Sequence, residues 1–121
     1  MELKIIPQEF SVCKVLDYSL VDLNQPFVFT GSTYEEKSLV CPIPFVPRNT
    51  ITREDGWRAF RIEGVLDFSL IGILSKISSV LADNGIGIFA ISTFNTDYIL
   101  TKSENFERAI NALQSAGYCV K

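Results

Sequence analysis

From Trp57 to the C-terminus the apolar residues alternate between two spacings, and few chain paths satisfy both in the order found. Trp57 to Glu63 sets Arg58, Phe60 and Ile62 against Ala59, Arg61 and Glu63, the period of two expected for a strand with one buried face. From Ser69 onward, Leu70, Ile73, Leu74, Ile77 and Leu81 recur at steps of three and four, which marks one helix face. Ile86 to Ser92 is apolar on both alternating faces, as in a central strand or one covered by a partner. Asp97 to Thr101 pairs back on it as a hairpin. Phe106, Ala109, Ile110 and Leu113 form a second helical stripe, and Tyr118 to Val120 is a last short strand.

Local residue chemistry supports the same boundaries. The segment GVLDFS (64–69) reads as a loop, with Asp67 or Ser69 placed to cap the first helix. Asn84-Gly85 and Gly117 supply ends that tolerate left-handed backbone. Ser103 is placed to cap the second helix, with Glu104 in its first turn, where a negative charge meets the helix dipole favourably. The element order is βαββαβ, an α+β arrangement of the ferredoxin-like, split-βαβ kind.

The N-terminal part is shorter. Phe10, Val12 and Lys14 alternate with Ser11, Cys13 and Val15, and Phe27–Thr30 and Ser38–Cys41 flank a turn at Thr33-Tyr34-Glu35-Glu36. This reads as a strand, a short connection and a hairpin. The stretch CPIPFVPRNTITREDG (41–56) holds three prolines, Asn49, Asp55 and Gly56, and reads as a surface connector. Two parts are therefore expected: residues 1–56, a short module with its connector, and residues 57–121, the βαββαβ domain.

Composition narrows the chemistry. A chain of 121 residues, 47% of them hydrophobic, can bury a core, so disorder is not expected. With no His, the commonest general base and metal ligand is missing, and no close Cys or carboxylate cluster replaces it. No catalytic residues, metal or cofactor are therefore expected. The net charge is −3 and the basic residues are scattered, which disfavours a nucleic-acid surface. The three cysteines, at 13, 41 and 119, make no C-x-x-C pair, as in a reducing cytoplasm. Neither a leader nor a membrane span is expected.

Longer motifs add a resemblance. E-G-x-L-D-F-S-L-x-G-I-L at 63–74 and I-x-I-F-A-I-S-T-[FY]-x-T-D-Y-I-L at 86–100, with F-S-V-C-K-V at 10–15 and V-C-P at 40–42, resemble the ACT-domain regulatory proteins of the small two-module type. The resemblance spans nearly the whole chain. It implies a ferredoxin-like ACT module at 57–121 and a shorter ACT-like module before it. It also implies an amino-acid sensor rather than an enzyme, whose modules pair with one another, so a homodimer is expected. With no catalytic or DNA-binding domain attached, output passes through association with itself or a partner protein. Ligands of such modules commonly sit at module interfaces, near the loop from first strand to first helix. Carried over, that loop is Gly64, Val65, Leu66, Asp67, Phe68 and Ser69, and the opposing wall is Ser92, Thr93, Phe94, Asn95, Thr96 and Asp97.

The same residues have plainer readings. Asp67 and Ser69 are also ordinary helix caps. Asp97 stands inside a strand, where Asp is disfavoured, so it faces a polar pocket, lies at a wet sheet edge, or bonds to local backbone. Trp57-Arg58 reads as a core anchor, with a cation–π contact as the alternative. Three other functions compete. An acylphosphatase-like enzyme shares βαββαβ, but Asp67 stands where its loop needs positive charge. An RNA-binding sheet would show paired aromatics beside basic residues, and only Tyr98 is offered. A purely structural dimerisation module with no ligand has the same sequence signature as a sensor.

Overall fold

The computed structural model describes residues 1–63 and 72–121. In chain order the elements are β1 (Glu2–Val15), β2 (Phe29–Ser32), β3 (Lys37–Pro42), a 3₁₀ turn (Ile43–Phe45), β4 (Thr50–Ile62), α1 (Ile73–Asp83), β5 (Phe89–Ser92), β6 (Asp97–Lys102), α2 (Ser103–Ser115) and β7 (Cys119–Val120). Contacts divide the chain into two compact units, Met1–Pro7 with Arg58–Lys121, and Gln8–Trp57. Where the sequence reading places residues 1–56 together, Met1–Pro7 thus cluster with the C-terminal residues.

The larger unit orders its strands β5–β6–β4–β1–β7. The start of β1 runs parallel to β7, with Glu2 opposite Cys119 and Leu3 opposite Val120. On its other side the Glu63 N–H donates to the Glu2 carbonyl at 2.9 Å. Leu3 is fully buried in this position. One apolar core joins Leu3, Phe60, Ile62 and Ile99 of the sheet to Ile77 and Leu81 of α1 and Phe106, Ala109 and Leu113 of α2. Of the helical stripes read from the sequence, Ile73, Leu74, Ile77 and Leu81 and then Phe106, Ala109, Ile110 and Leu113 pack here, and Leu70 lies outside the described residues. Arg58 adds a cation–π contact, its guanidinium carbon 4.7 Å from the centre of the Phe106 ring, so the alternative reading of that residue holds.

Both helices stop by the same device. After α1, Gly85 N–H donates to Ala82 O at 2.9 Å and Ile86 N–H to Leu81 O at 2.9 Å. After α2, Gly117 N–H donates to Gln114 O at 3.0 Å and Tyr118 N–H to Leu113 O at 3.0 Å. Each is a Schellman motif, with glycine at positive φ (+70° and +99°) and an apolar residue beyond it returning to the core. The helix starts differ from expectation. α1 begins at Ile73 behind Gly72, at φ +83°, instead of at Ser69, and Asp67 and Ser69 lie outside the described residues. Ser103 is the first helical residue of α2, and Lys102 holds the N-cap position without a side-chain cap on the helix.

The smaller unit orders its strands β2–β3–β1–β4. Phe10 to Lys14 pair antiparallel with Ser38 to Pro42, and Phe29 to Ser32 with Lys37 to Val40. Cys13, Val15, Leu39 and Cys41 form its core, covered by Tyr18, Val21, Val28 and Val46. Tyr18 donates its hydroxyl to Ser38 O at 2.8 Å, and Phe27 meets Phe10 edge-on at 6.4 Å. Segment 16–28 thus covers a sheet face without a regular helix. The connector read at 41–56 is shorter than expected, because strand begins at Thr50. Residues Ile51 to Asp55 are all exposed on this edge strand, so no alternation betrays it, and Arg53 pairs with Asp55 at 3.0 Å.

All three cysteines are unpaired, with Cys13 and Cys41 buried and Cys119 exposed. Burial pushes the Cys41 thiol up to about 12, and burial raises Cys13 as well. Ellman's reagent at pH 8 should therefore modify one thiol per folded chain, Cys119, and three after unfolding. Both buried thiols favour the folded state while protonated. That contribution is whole below pH 9, and the urea midpoint should fall as pH rises from 9 toward 12. Gly85→Ala and Gly117→Ala should each cost ~1 kcal/mol in urea denaturation through backbone strain alone, since neither Cβ would meet an atom within 4 Å. Gly87→Ala, at ordinary φ and in open space, should be neutral within about 0.5 kcal/mol.

Candidate functional site

The tip between β5 and β6 is a four-residue turn closed by its own threonines. Ser92 stands opposite Asp97 at the last strand pair. Thr93 donates its N–H to Thr96 O at 2.9 Å and its hydroxyl to the same oxygen at 2.8 Å. Thr96, only 5% exposed, turns inward and donates its hydroxyl to Ile62 O at 2.8 Å. This bond ties the tip to the end of β4. The hydroxyl of Thr96 is committed to the fold, whereas Ser92 is exposed and Phe94 is 82% exposed.

Asp97 is half-buried, and its carboxylate has no hydrogen-bond or ion-pair partner among the described residues. It lies on the β6 face that two residues later buries Ile99 completely. On the opposite face Arg61 donates from Nη1 to the Tyr98 hydroxyl at 3.4 Å and from Nε to Glu63 Oε2 at 3.3 Å. The bond to Tyr98, then that to Glu63, holds the guanidinium above its ordinary value and so charged throughout the working range. Of the residues expected to line a ligand, Ser92, Thr93, Phe94 and Asp97 gather at this tip. Gly64, Val65, Leu66, Asp67, Phe68 and Ser69 lie outside the described residues.

A second tip repeats the first. Ser32-Thr33-Tyr34 stands between β2 and β3 as Ser92-Thr93-Phe94 stands between β5 and β6. Thr33 donates its N–H to Glu36 O at 2.9 Å, and its hydroxyl accepts from the N–H groups of Glu35 and Glu36, each at 3.2 Å. Tyr34, like Phe94, points into solvent, at 99% exposure. Beside this tip a cleft of about 260 Å³ is lined by Lys14, Leu16, Lys37, Glu35, Glu36 and Ile51, among others. The sequence reading placed Glu35 and Glu36 in the turn, and both are exposed there. The repeated S-T-aromatic triplet was the available signal that this tip matches the other.

A mixed sheet with two helices on one face and a polar hairpin tip defines a class of small α+β domain, and sequence comparison names it. The ACT domain family matches residues 52–115, more than half of the chain, and the chain belongs to that family. Such domains are regulatory and often bind amino acids. The chain is similar to the crystal structure of an Agrobacterium tumefaciens protein, with 31% identity, a TM-score of 0.87, and coverage of 99% of this chain and 91% of that one. Its fold also matches the ligand-free regulatory subunit of aspartate kinase from Thermus thermophilus, with 11% identity, a TM-score of 0.66, and coverage of 95% and 96%. Aspartate kinase from Clostridium acetobutylicum matches with 15% identity and a TM-score of 0.65, over 94% of this chain and 33% of that one. No curated protein matches the chain significantly.

Thr96→Val keeps the shape of the tip and removes its bond to the Ile62 carbonyl. It should cost about 1–2 kcal/mol in urea denaturation, whereas Ser92→Ala, exposed and at the strand end, should cost less than about 0.5 kcal/mol.

Proposed function

We propose that the chain is a non-enzymatic, amino-acid-binding regulatory module that acts by association with itself or a partner protein. The observation that carries this reading is the half-buried Asp97 carboxylate, which has no partner among the described residues, beside a tip that Thr96 pins to Ile62. Segment 64–69 begins two residues after Ile62, so the two expected walls start from one anchored point. An ammonium group, on the α-carbon or a side chain, would find its acceptor in Asp97. The N-terminus of α1, with no side-chain cap at Gly72, offers backbone N–H groups to the α-carboxylate. Ser92, Thr93 and Phe94 would border the ligand from one side, and Gly64 to Ser69 from the other.

The reading extends to the rest of the chain. Residues 8–57 act as a reduced ACT-like module, supported by the strand order β2–β3–β1–β4 and the matching S-T-aromatic tip. Residues 58–121, with 1–7, supply the complete module. Self-association is supported by β5, an edge strand with half-buried Phe89 and Ile91 and no charged residue from Ile86 to Ser92. Three unpaired thiols suit a reducing, cytoplasmic setting. Among the described residues no helix is long and apolar enough to cross a membrane.

A thermal-shift screen of the twenty amino acids tests the proposal. A binder at one hundred times its Kd should add ~2.7 kcal/mol and raise the melting point by several degrees. By calorimetry, Asp97→Ala should then weaken binding about thirtyfold, the loss of one charge-assisted hydrogen bond worth ~2 kcal/mol. If no amino acid stabilises the chain, the structural dimerisation reading takes its place. Unchanged affinity in Asp97→Ala would remove that carboxylate from the site.

A further inference from the structure

The smaller unit carries a cleft that the amino-acid reading does not use. It measures about 490 Å³ and is lined by Gln8, Glu9, Pro42, Ile43, Pro44 and Phe45. That size falls within the usual range of small-molecule sites. It lies where β3 ends and the chain turns through a single 3₁₀ turn, away in sequence from the β2–β3 tip. Its walls are mostly apolar: two proline rings, an isoleucine, and a phenylalanine left 37% exposed. One polar feature stands out. The Oε1 atom of Gln8 is buried and has no hydrogen-bond donor among the described residues. A buried acceptor left without a donor is costly and is uncommon in native structures.

We infer that this cleft binds a small, flat, apolar molecule bearing an uncharged N–H donor, such as a primary carboxamide. Turning the Gln8 side chain into the cleft breaks no hydrogen bond of Oε1 and lets a bound N–H satisfy it. The proline and phenylalanine surfaces suit the flat face of a ring. Glu9 at the rim selects against an anion, which separates this ligand from a carboxylate that would seek the helix N-terminus. The inference is independent of the role proposed for Asp97.

The test is an NMR titration of the full ¹⁵N-labelled chain with three probes of one shape: benzamide, methyl benzoate and benzoate. Benzamide should shift the amides of Glu9, Ile43 and Phe45 and the side-chain NH₂ of Gln8, and the shifts should saturate. Methyl benzoate, which lacks the donor, should bind about fivefold more weakly, the ratio expected for one neutral hydrogen bond. Benzoate should be weaker still. Gln8→Met should lower benzamide affinity to that of methyl benzoate. If that variant does not fold, Phe45→Ala, on the exposed turn, should weaken all three probes. Shifts that do not saturate, shifts that map elsewhere, equal binding of benzamide and methyl benzoate, or unchanged binding in either folded variant would overturn the inference.

Discussion

The bond from the Thr96 hydroxyl to the Ile62 carbonyl holds the candidate site in shape. A hairpin tip is ordinarily the least ordered part of a sheet, because few buried contacts reach it. Here a buried threonine fastens the turn to the end of β4, where the chain leaves toward segment 64–69. Thr93 closes the turn from within, so both threonine hydroxyls serve the fold. In the proposed site, the carboxylate of Asp97 and the exposed side chains of Ser92 and Phe94 would face the ligand. An acidic group with no partner among the described residues, on a tip fastened to β4, would there be a pre-organised acceptor.

The surrounding fold explains how so short a chain supports that arrangement. α1 and α2 bury their stripes against β4 and β6, and each ends in a glycine-centred motif that returns the next residue to the same core. The first residues of the chain complete the sheet, with Leu3 fully buried between β4 and β7 in the strand order. In the smaller unit the covering work falls to irregular chain, with Tyr18, Val21 and Val28 packed on Cys13 and Leu39. The family contains regulatory domains, and both units present the same kind of tip. The equal construction of Thr33 and Thr93 is hard to attribute to turn propensity alone, because each is followed by an aromatic left in solvent.

Much of this was legible in the sequence wherever burial imposes a period. The α2 stripe, its stop at Gly117, the β5–β6 hairpin and its turn at 93–96 all follow from apolar spacing and turn chemistry. Strand at 50–56 was not legible, because an edge strand with exposed side chains on both faces shows no alternation. The sequence reading began the N-terminal strand at Phe10, whereas β1 starts at Glu2 and passes through Pro7, as a strand can where no ladder bond is needed. The start of α1 was misread because Leu70 continues the helical spacing. Asp97 was singled out as a carboxylate inside a strand, and only coordinates show that no described side chain pairs with it. Gln8 gave no signal at all, since a glutamine's hydrogen-bond partners depend on neighbours distant in sequence.

The central claim is that segment 64–69 and the tip at 92–97 enclose one amino acid. Amide hydrogen exchange read by mass spectrometry, with and without a mixture of the twenty amino acids at millimolar concentration, tests it most directly. The account predicts that slowed exchange appears in both segments together and at matching concentrations. Protection of one segment without the other, or of neither, would contradict it.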